Sequence, residues 1–244
     1  MGSAVMVTSG KGGTGKTSLT AGVASCLAAL GHRVLCIDLD IGLRNLDIAL
    51  GMDDRAVMDF TDVMDHRCPL FTAAAEHPKI RGLFLLTAPL QLPAPDFHRF
   101  CQVVQEARED FDYIFMDSPA GLGVGFQLAM AAADRAIVVS ATDPAALRDA
   151  QRAVAELLPR LSTIHLVMNR VEPKLVRRLR TSIDDAMDTA GLPLLGIVPE
   201  DEQVVMAAAS RLPMVLFSRK RAAVAYLNIA KRLTGDRVPL MRFH

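Results

Sequence analysis

Lysine is scarce in this 244-residue chain: 6 of its 27 basic side chains are Lys, and the other 21 are Arg. An excess of one charge is also missing. The 27 acidic residues bring the formal charge to zero and the pI to about 7, which argues against a nucleic-acid partner and against an acidic tail. Cysteine is sparse as well. Cys26, Cys36, Cys68 and Cys101 lie far apart with no C-x-x-C, so a zinc or iron–sulfur site within one chain is not expected. They read as two core thiols and two partly exposed ones in a reducing cytoplasm. No basic stretch followed by an apolar one opens the sequence, so a secretory leader is not expected. The longest weakly polar run, Ala120 to Ala133, carries Gln127 and is too short to span a bilayer. The six histidines are scattered and suggest no ligand set.

What is present is apolar material in short runs. At 51% hydrophobic and 22% charged, the chain has enough to fold around a sizeable core. The runs Ala4–Thr8, Val34–Ile37, Leu83–Thr87, Tyr113–Met116, Ala136–Ser140, Ile164–Met168 and Leu195–Val198 are nearly continuous in apolar residues. That pattern predicts parallel strands covered on both faces. Amphipathic stretches alternate with them. Leu19, Val23, Leu27 and Leu30 form one stripe, ended by Gly31. Phe97, Phe100, Cys101, Val104 and Phe111 form a second. Asp143-Pro144 is a cap-and-first-turn pair ahead of Leu147, Ala150, Val154, Leu157 and Leu161. Val176, Leu179, Ile183, Met187 and Ala190 precede Gly191, and a last helix is expected from about Ser218 to Thr234. With no repeat or linker, the chain reads as one α/β domain over 1–244. The expected core is a doubly wound, mostly parallel sheet of about seven or eight strands, with helices on both faces and a short tail from Asp236. The ligand is expected at the carboxyl ends of the strands.

Two of the six lysines fall in one glycine-rich loop. Gly10-Lys11-Gly12-Gly13-Thr14-Gly15-Lys16-Thr17 fits G-x-x-x-x-G-K-[ST], with a buried strand before it and a helix after it, followed at once by Ser18. Glycines let main-chain N–H groups turn inward around an anion, and the helix N-terminus adds its dipole. Lys16 would reach the β- and γ-phosphates, and the Thr17 hydroxyl would ligate Mg²⁺. Three carboxylates end strands on the same side: Asp38 and Asp40 after Ile37, and Asp117 after Met116. Asp117 would hold Mg²⁺ through water, Asp38 would sit just outside the metal, and Asp40 would position the attacking water. Asn169-Arg170 follows the sixth predicted strand, and an Asn amide can pair with the N6/N7 edge of adenine.

Lys11 is the unusual member of the loop. Lys11-Gly12-Gly13-Thr14-Gly15-Lys16-Thr17-Ser18 resembles the deviant Walker A loop of the MinD/ParA ATPases, P-loop proteins in which the early lysine reaches the nucleotide of a partner subunit. The segment Asp40-Ile41-Gly42-Leu43-Arg44-Asn45-Leu46-Asp47 resembles switch I of the MinD branch of that family. Asp117-Ser118-Pro119-Ala120-Gly121 resembles its switch II, and Gly196-Ile197-Val198-Pro199-Glu200-Asp201 matches as well. The stretch from about Asp54 to Asp110 matches loosely. The resemblance implies an ATPase that dimerises on binding ATP, with Lys11 acting in trans like an arginine finger. It implies slow hydrolysis without an activating partner and a role in placing the division septum. Asn169, Arg170 and the Pro199-Glu200-Asp201 loop would frame the base. Arg44, Asn45, Arg148 and Asp149 would meet the second subunit or the inhibitor and activator proteins.

The chain departs from that family at two places. Family members end in an amphipathic helix that binds the inner membrane. Here Asp236 to His244 is short and interrupted by Pro239, so firm anchoring is not expected and any membrane contact would be peripheral. Gln151 stands where a second acidic residue is expected beside Asp149. The basic clusters Arg177-Arg178-Arg180 and Arg219-Lys220-Arg221 read as solvated faces, with DNA or anionic lipid as the sharper alternative. Three functions therefore compete: a dimerising septum-site ATPase, a ParA-like ATPase that positions DNA or another large cargo, and an ATP-sensing module that does not hydrolyse. An electron carrier with a cluster between subunits is set aside, because no cysteine lies between Asp117 and His244.

Overall fold

The structure is a computed structural model that describes residues 1–55, 57–92, 94–172 and 183–241. Its centre is a sheet of eight strands: β1 (Ser3–Thr8), β2 (Val34–Asp38), β3 (Ala75–Glu76), β4 (Leu83–Leu86), β5 (Tyr113–Asp117), β6 (Arg135–Ser140), β7 (Thr163–Val171) and β8 (Leu194–Pro199). They lie in the order β3-β4-β2-β5-β1-β6-β7-β8. All neighbours are parallel except β3, which runs antiparallel along β4 at one edge. The parallel sheet expected from the continuous apolar runs is present. The two-residue β3 is too short to leave a periodic signal.

Strand parity divides the core. Ala4, Met6, Leu35, Ile37, Ile114 and Met116 face one apolar layer, while Val5, Val7, Val34, Cys36 and Phe115 face the other. This is the two-residue alternation of a strand with both faces buried. The first layer is closed by α3 (Phe60–Met64), α4 (Leu70–Ala73), α5 (Phe97–Asp110), α6 (Val124–Ala132), α7 (Pro144–Leu157) and α8 (Ile183–Ala190). The second is closed by α1 (Lys16–Ala29), α2 (Leu46–Leu50), α9 (Glu202–Ala209), α10 (Met214–Phe217) and α11 (Ala222–Leu233).

Several expectations are corrected. The single apolar stripe read for α1 is too narrow: eleven of its residues are buried, because the helix is enclosed by the sheet on one side and α11 on the other. Gly31, with φ 100°, does end the turn after it. The last helix begins at Ala222 rather than near Ser218, since Arg221 has φ 47° and cannot belong to a right-handed helix. Strand β7 continues through Val171, so Asn169 and Arg170 lie inside it, at an irregularity in the β7–β8 ladder between Met168 and Val171. Cys26 and Cys36 are buried and Cys68 and Cys101 half-buried, as expected. Val176, Leu179 and the Arg177-Arg178-Arg180 cluster fall outside the described residues, as do Arg242, Phe243 and His244.

Candidate functional site

Strand β1 ends at Thr8, and the chain turns through Ser9–Gly15 before α1 begins. Gly15 caps the helix with φ 87° and offers no side chain to its first N–H groups, and the first turn holds no acidic residue. The orphan donors of that turn are therefore free for an anion. A Cβ on Gly15 would also lie 2.3 Å from the Asn169 amide nitrogen. Lys16 is buried, and its ammonium donates to Ser9 Oγ at 2.9 Å. Burial lowers its pKa, while Asp117 and Asp40 pull the other way. Lys11 points elsewhere. It is half-exposed, with Nζ 3.7 Å from Asp143 Oδ1 at the start of α7. One lysine faces into the loop and the other out of it.

The register of the sheet brings the carboxylates together. Asp38 and Asp117 are paired positions on β2 and β5, and Asp117 also pairs with Val7 of β1. Asp117 is buried. It accepts from Thr17 Oγ1 at 2.7 Å and from Thr20 Oγ1 at 3.0 Å. Burial first, and Asp38 second, push its pKa up to about 7. Asp38 is pushed up to about 6, again chiefly by burial. It accepts from the main-chain N–H groups of Asp40 (2.8 Å) and Leu46 (3.0 Å), so it holds the 40–46 loop and satisfies the first N–H of α2. Asp40 accepts from Asn45 Nδ2 at 3.3 Å. A hydroxyl beside two buried carboxylates is an oxygen-only set that suits Mg²⁺ completed by phosphate and water. Among the described residues no group of three His, Cys, Asp or Glu forms an all-protein metal cage, and Mg²⁺ bound to a nucleotide needs none.

Beside the loop lies a cleft of about 250 Å³ lined by Gly13, Asn169, Arg170, Pro199, Val205 and Tyr226. Clefts of about 400 and 440 Å³ occur at the amino edge of the sheet and between α5, α6 and α7. Neither touches the phosphate loop, so size does not locate the site. Asn169 is committed differently from the sequence reading. Its amide donates to the Thr14 carbonyl at 2.7 Å, so two-point pairing with adenine would first have to break that bond. Arg170 joins the Gly13 carbonyl (3.1 Å) to the Glu200 carboxylate (2.8 Å).

The CobQ/CobB/MinD/ParA nucleotide binding domain matches residues 5–214. The chain belongs to this family. It is 38% identical to the septum site-determining protein MinD of Bacillus subtilis, covering 98% of this chain and 92% of that protein. In structure it is similar to the MinC:MinD cell division protein complex of Aquifex aeolicus, with a TM-score of 0.91, 36% identity and 99% of each chain covered. It is also similar to the septum site-determining protein MinD of Pyrococcus horikoshii complexed with Mg-ADP, with a TM-score of 0.84, 27% identity and 96% of each chain covered.

Within this CobQ/CobB/MinD/ParA domain, the residues expected at a partner surface are only partly free. Arg44, at φ 49°, lies 3.5 Å from Asp59 Oδ2, and its Nε is buried without a partner. Asn45 is held on Asp40. Arg148 is exposed, while Asp149 pairs with Arg152 at 3.4 Å. A Cβ on Gly10 would lie 1.9 Å from the Asp149 carbonyl oxygen, so loop and α7 meet main chain to main chain. Gln151 donates to the Thr189 carbonyl, a bond no carboxylate could make at that position. The sequence reading missed Ser9, Thr20, Arg221 and Tyr226. Thr20 was within reach, since Thr17 and Thr20 share one helix face at i, i+3. Ser9 adjoins the loop in sequence, while Arg221 and Tyr226 meet the site only through folding.

Proposed function

We propose that this chain is a Mg²⁺-dependent ATPase whose ATP-bound form pairs with a second copy. Hydrolysis then releases the pair and the partners it holds, in selection of the division septum site. The observation that carries this reading is the division of labour between the two lysines. Lys16 is built into the loop interior, where it would neutralise the phosphates of its own nucleotide. Lys11 stands outside on a weak, half-exposed ion pair that a stronger anion would displace. A second copy carrying its own triphosphate supplies that anion.

Gly10–Thr17 and Ser18 would hold the triphosphate, with Asn169, Arg170, Pro199, Glu200 and Asp201 around the base. Thr17 and Asp117 would hold Mg²⁺, with Asp38 beside them, and the ion would neutralise charge developing on the phosphoryl oxygens. Asp40, at the mouth of the site and tethered by Asn45, would orient the attacking water. The Bacillus relative is named for septum-site determination, and the Aquifex structure joins MinD to MinC. Those names support partners of the same division-site system; by the resemblance of α7 they would dock near Arg148 and Asp149. Among the described residues no helix is long and apolar enough to cross a membrane. The tail lies against the body, with Arg232 donating to the carbonyls of Val238 and Pro239. From its likeness to the septum-site relatives we read the protein as cytoplasmic, with membrane contact limited to a peripheral one. The reading as a DNA-positioning ATPase is weakened, because Arg221 of the exposed basic cluster is engaged with Glu200.

The test is turnover and sedimentation of two variants. Lys11→Ala is expected to lose ATP-dependent pairing and at least about tenfold in turnover. Asp40→Ala is expected to pair but not hydrolyse. Unchanged turnover in both would refute the mechanism.

A further inference from the structure

Two arginines outside the phosphate loop share an unusual property. Arg170 and Arg221 both have positive φ, 56° and 47°, a conformation uncommon for a long side chain. Such strain persists where the surroundings hold it, and here both side chains reach the same residue. Arg170 donates through Nε to Glu200 Oε2 at 2.8 Å and through Nη2 to Oε1 at 3.3 Å. Its Nη1 holds the Gly13 carbonyl across the cleft. Arg221 donates through Nη2 to the main-chain carbonyl of Glu200 at 3.1 Å. One residue on, buried Asp201 accepts from Gln203 N at 3.1 Å and from Ala222 N at 3.2 Å. The Pro199–Asp201 loop is thus fastened to the phosphate loop at one end and to the start of α11 at the other.

We propose that Arg221 acts with Arg170 to clamp this loop in the pose that walls the base cleft. Arg221 is then a positioning residue for the nucleoside half of the nucleotide. The proposal rests on reading that cleft as the base site. It removes Arg221 from the basic cluster with Arg219 and Lys220 and gives it a separate role. The phosphates sit at the far end, on Gly10–Thr17, which Arg221 does not touch. Its effect therefore falls on ligands that carry a base and not on bare phosphates.

The test compares MgADP with magnesium pyrophosphate by titration calorimetry, both in the absence of ATP so that pairing does not enter. Arg221→Gly removes the side chain while giving the backbone a residue that accepts positive φ, so folding is not expected to suffer. Arg221→Ala, which keeps the strain, serves as the second variant. Both are expected to weaken ADP about three- to tenfold and to leave pyrophosphate within about twofold. An unchanged ADP affinity overturns the clamp, and so does an equal loss for both ligands. If the unaltered protein binds ADP no better than pyrophosphate, the base-cleft reading itself fails and the clamp fails with it. Discrimination by the unaltered protein that survives in both variants rejects the clamp alone.

Discussion

Asp117 carries the heaviest electrostatic load of any single residue in the site. Its pKa near 7 and that of Asp38 near 6 lie above the ordinary carboxylate range, chiefly because both are buried; Asp38 adds to the rise at Asp117, and Asp40 and Asp47 add to that at Asp38. The sign follows from proton binding. A carboxylate whose pKa is raised by folding contributes fully below its unfolded pKa, near 4, and loses that contribution as pH rises through the folded value. In metal-free protein, the pair therefore works against stability increasingly between about pH 4 and 7. Asp117→Asn removes the charge and is expected to gain in melting temperature over the unaltered protein at pH 8 with EDTA, and to show little gain at pH 5. Thermal scans at the two pH values check this. A constant difference would mean that the carboxylate is not strained. With Mg²⁺ the order should reverse, because the Asp117 carboxylate, unlike the amide that replaces it, would help hold the ion.

At the scale of elements, α1 and α11 pack closely in the second core layer. A Cβ on Gly22 would lie 2.3 Å from Tyr226 Cδ2, and that ring is fully buried. Gly22→Ala gains up to about 1 kcal/mol in helix propensity. Overpacking costs about 1–3 kcal/mol, so the net effect is expected to be destabilising. A lower urea midpoint at unchanged slope would confirm it, and a higher midpoint would show that α11 moves freely.

The seven longer strands were readable because a sheet covered on both faces needs uninterrupted apolar runs. Asp143 was readable as a cap and does accept from Ala146 N at 3.0 Å. The short helices α2, α3, α4 and α10 were not, since four or five residues cannot show a helical period. Helix α6 was hidden because its nine residues are apolar or small apart from Gln127, so no polar face marks a helical period. The phosphate loop and its three carboxylates were legible as motifs. The ties from Arg170 and Arg221 to Glu200 were not, because they depend on two left-handed residues that no local pattern demands.

For the molecule as a whole, ligand binding and folding are linked. A ligand that binds only the folded chain stabilises it by about 2.7 kcal/mol at a hundred times its Kd. For a chain of this length that is about 5–10 °C in Tm. MgADP is expected to produce such a rise, and Asp117→Asn to reduce it. An absence of any shift would mean that MgADP does not bind the folded chain, and would overturn the nucleotide reading.

The contact between Gly10 and the Asp149 carbonyl has a consequence for how such a machine can be re-wired. Because the join is backbone on backbone, rewriting the outer residues of α7 leaves the joint between helix and loop intact. Gln151, turned toward Thr189, lies off that joint. If partners dock on α7 as proposed, the residues they read could change while each partner still pulls on the same lever.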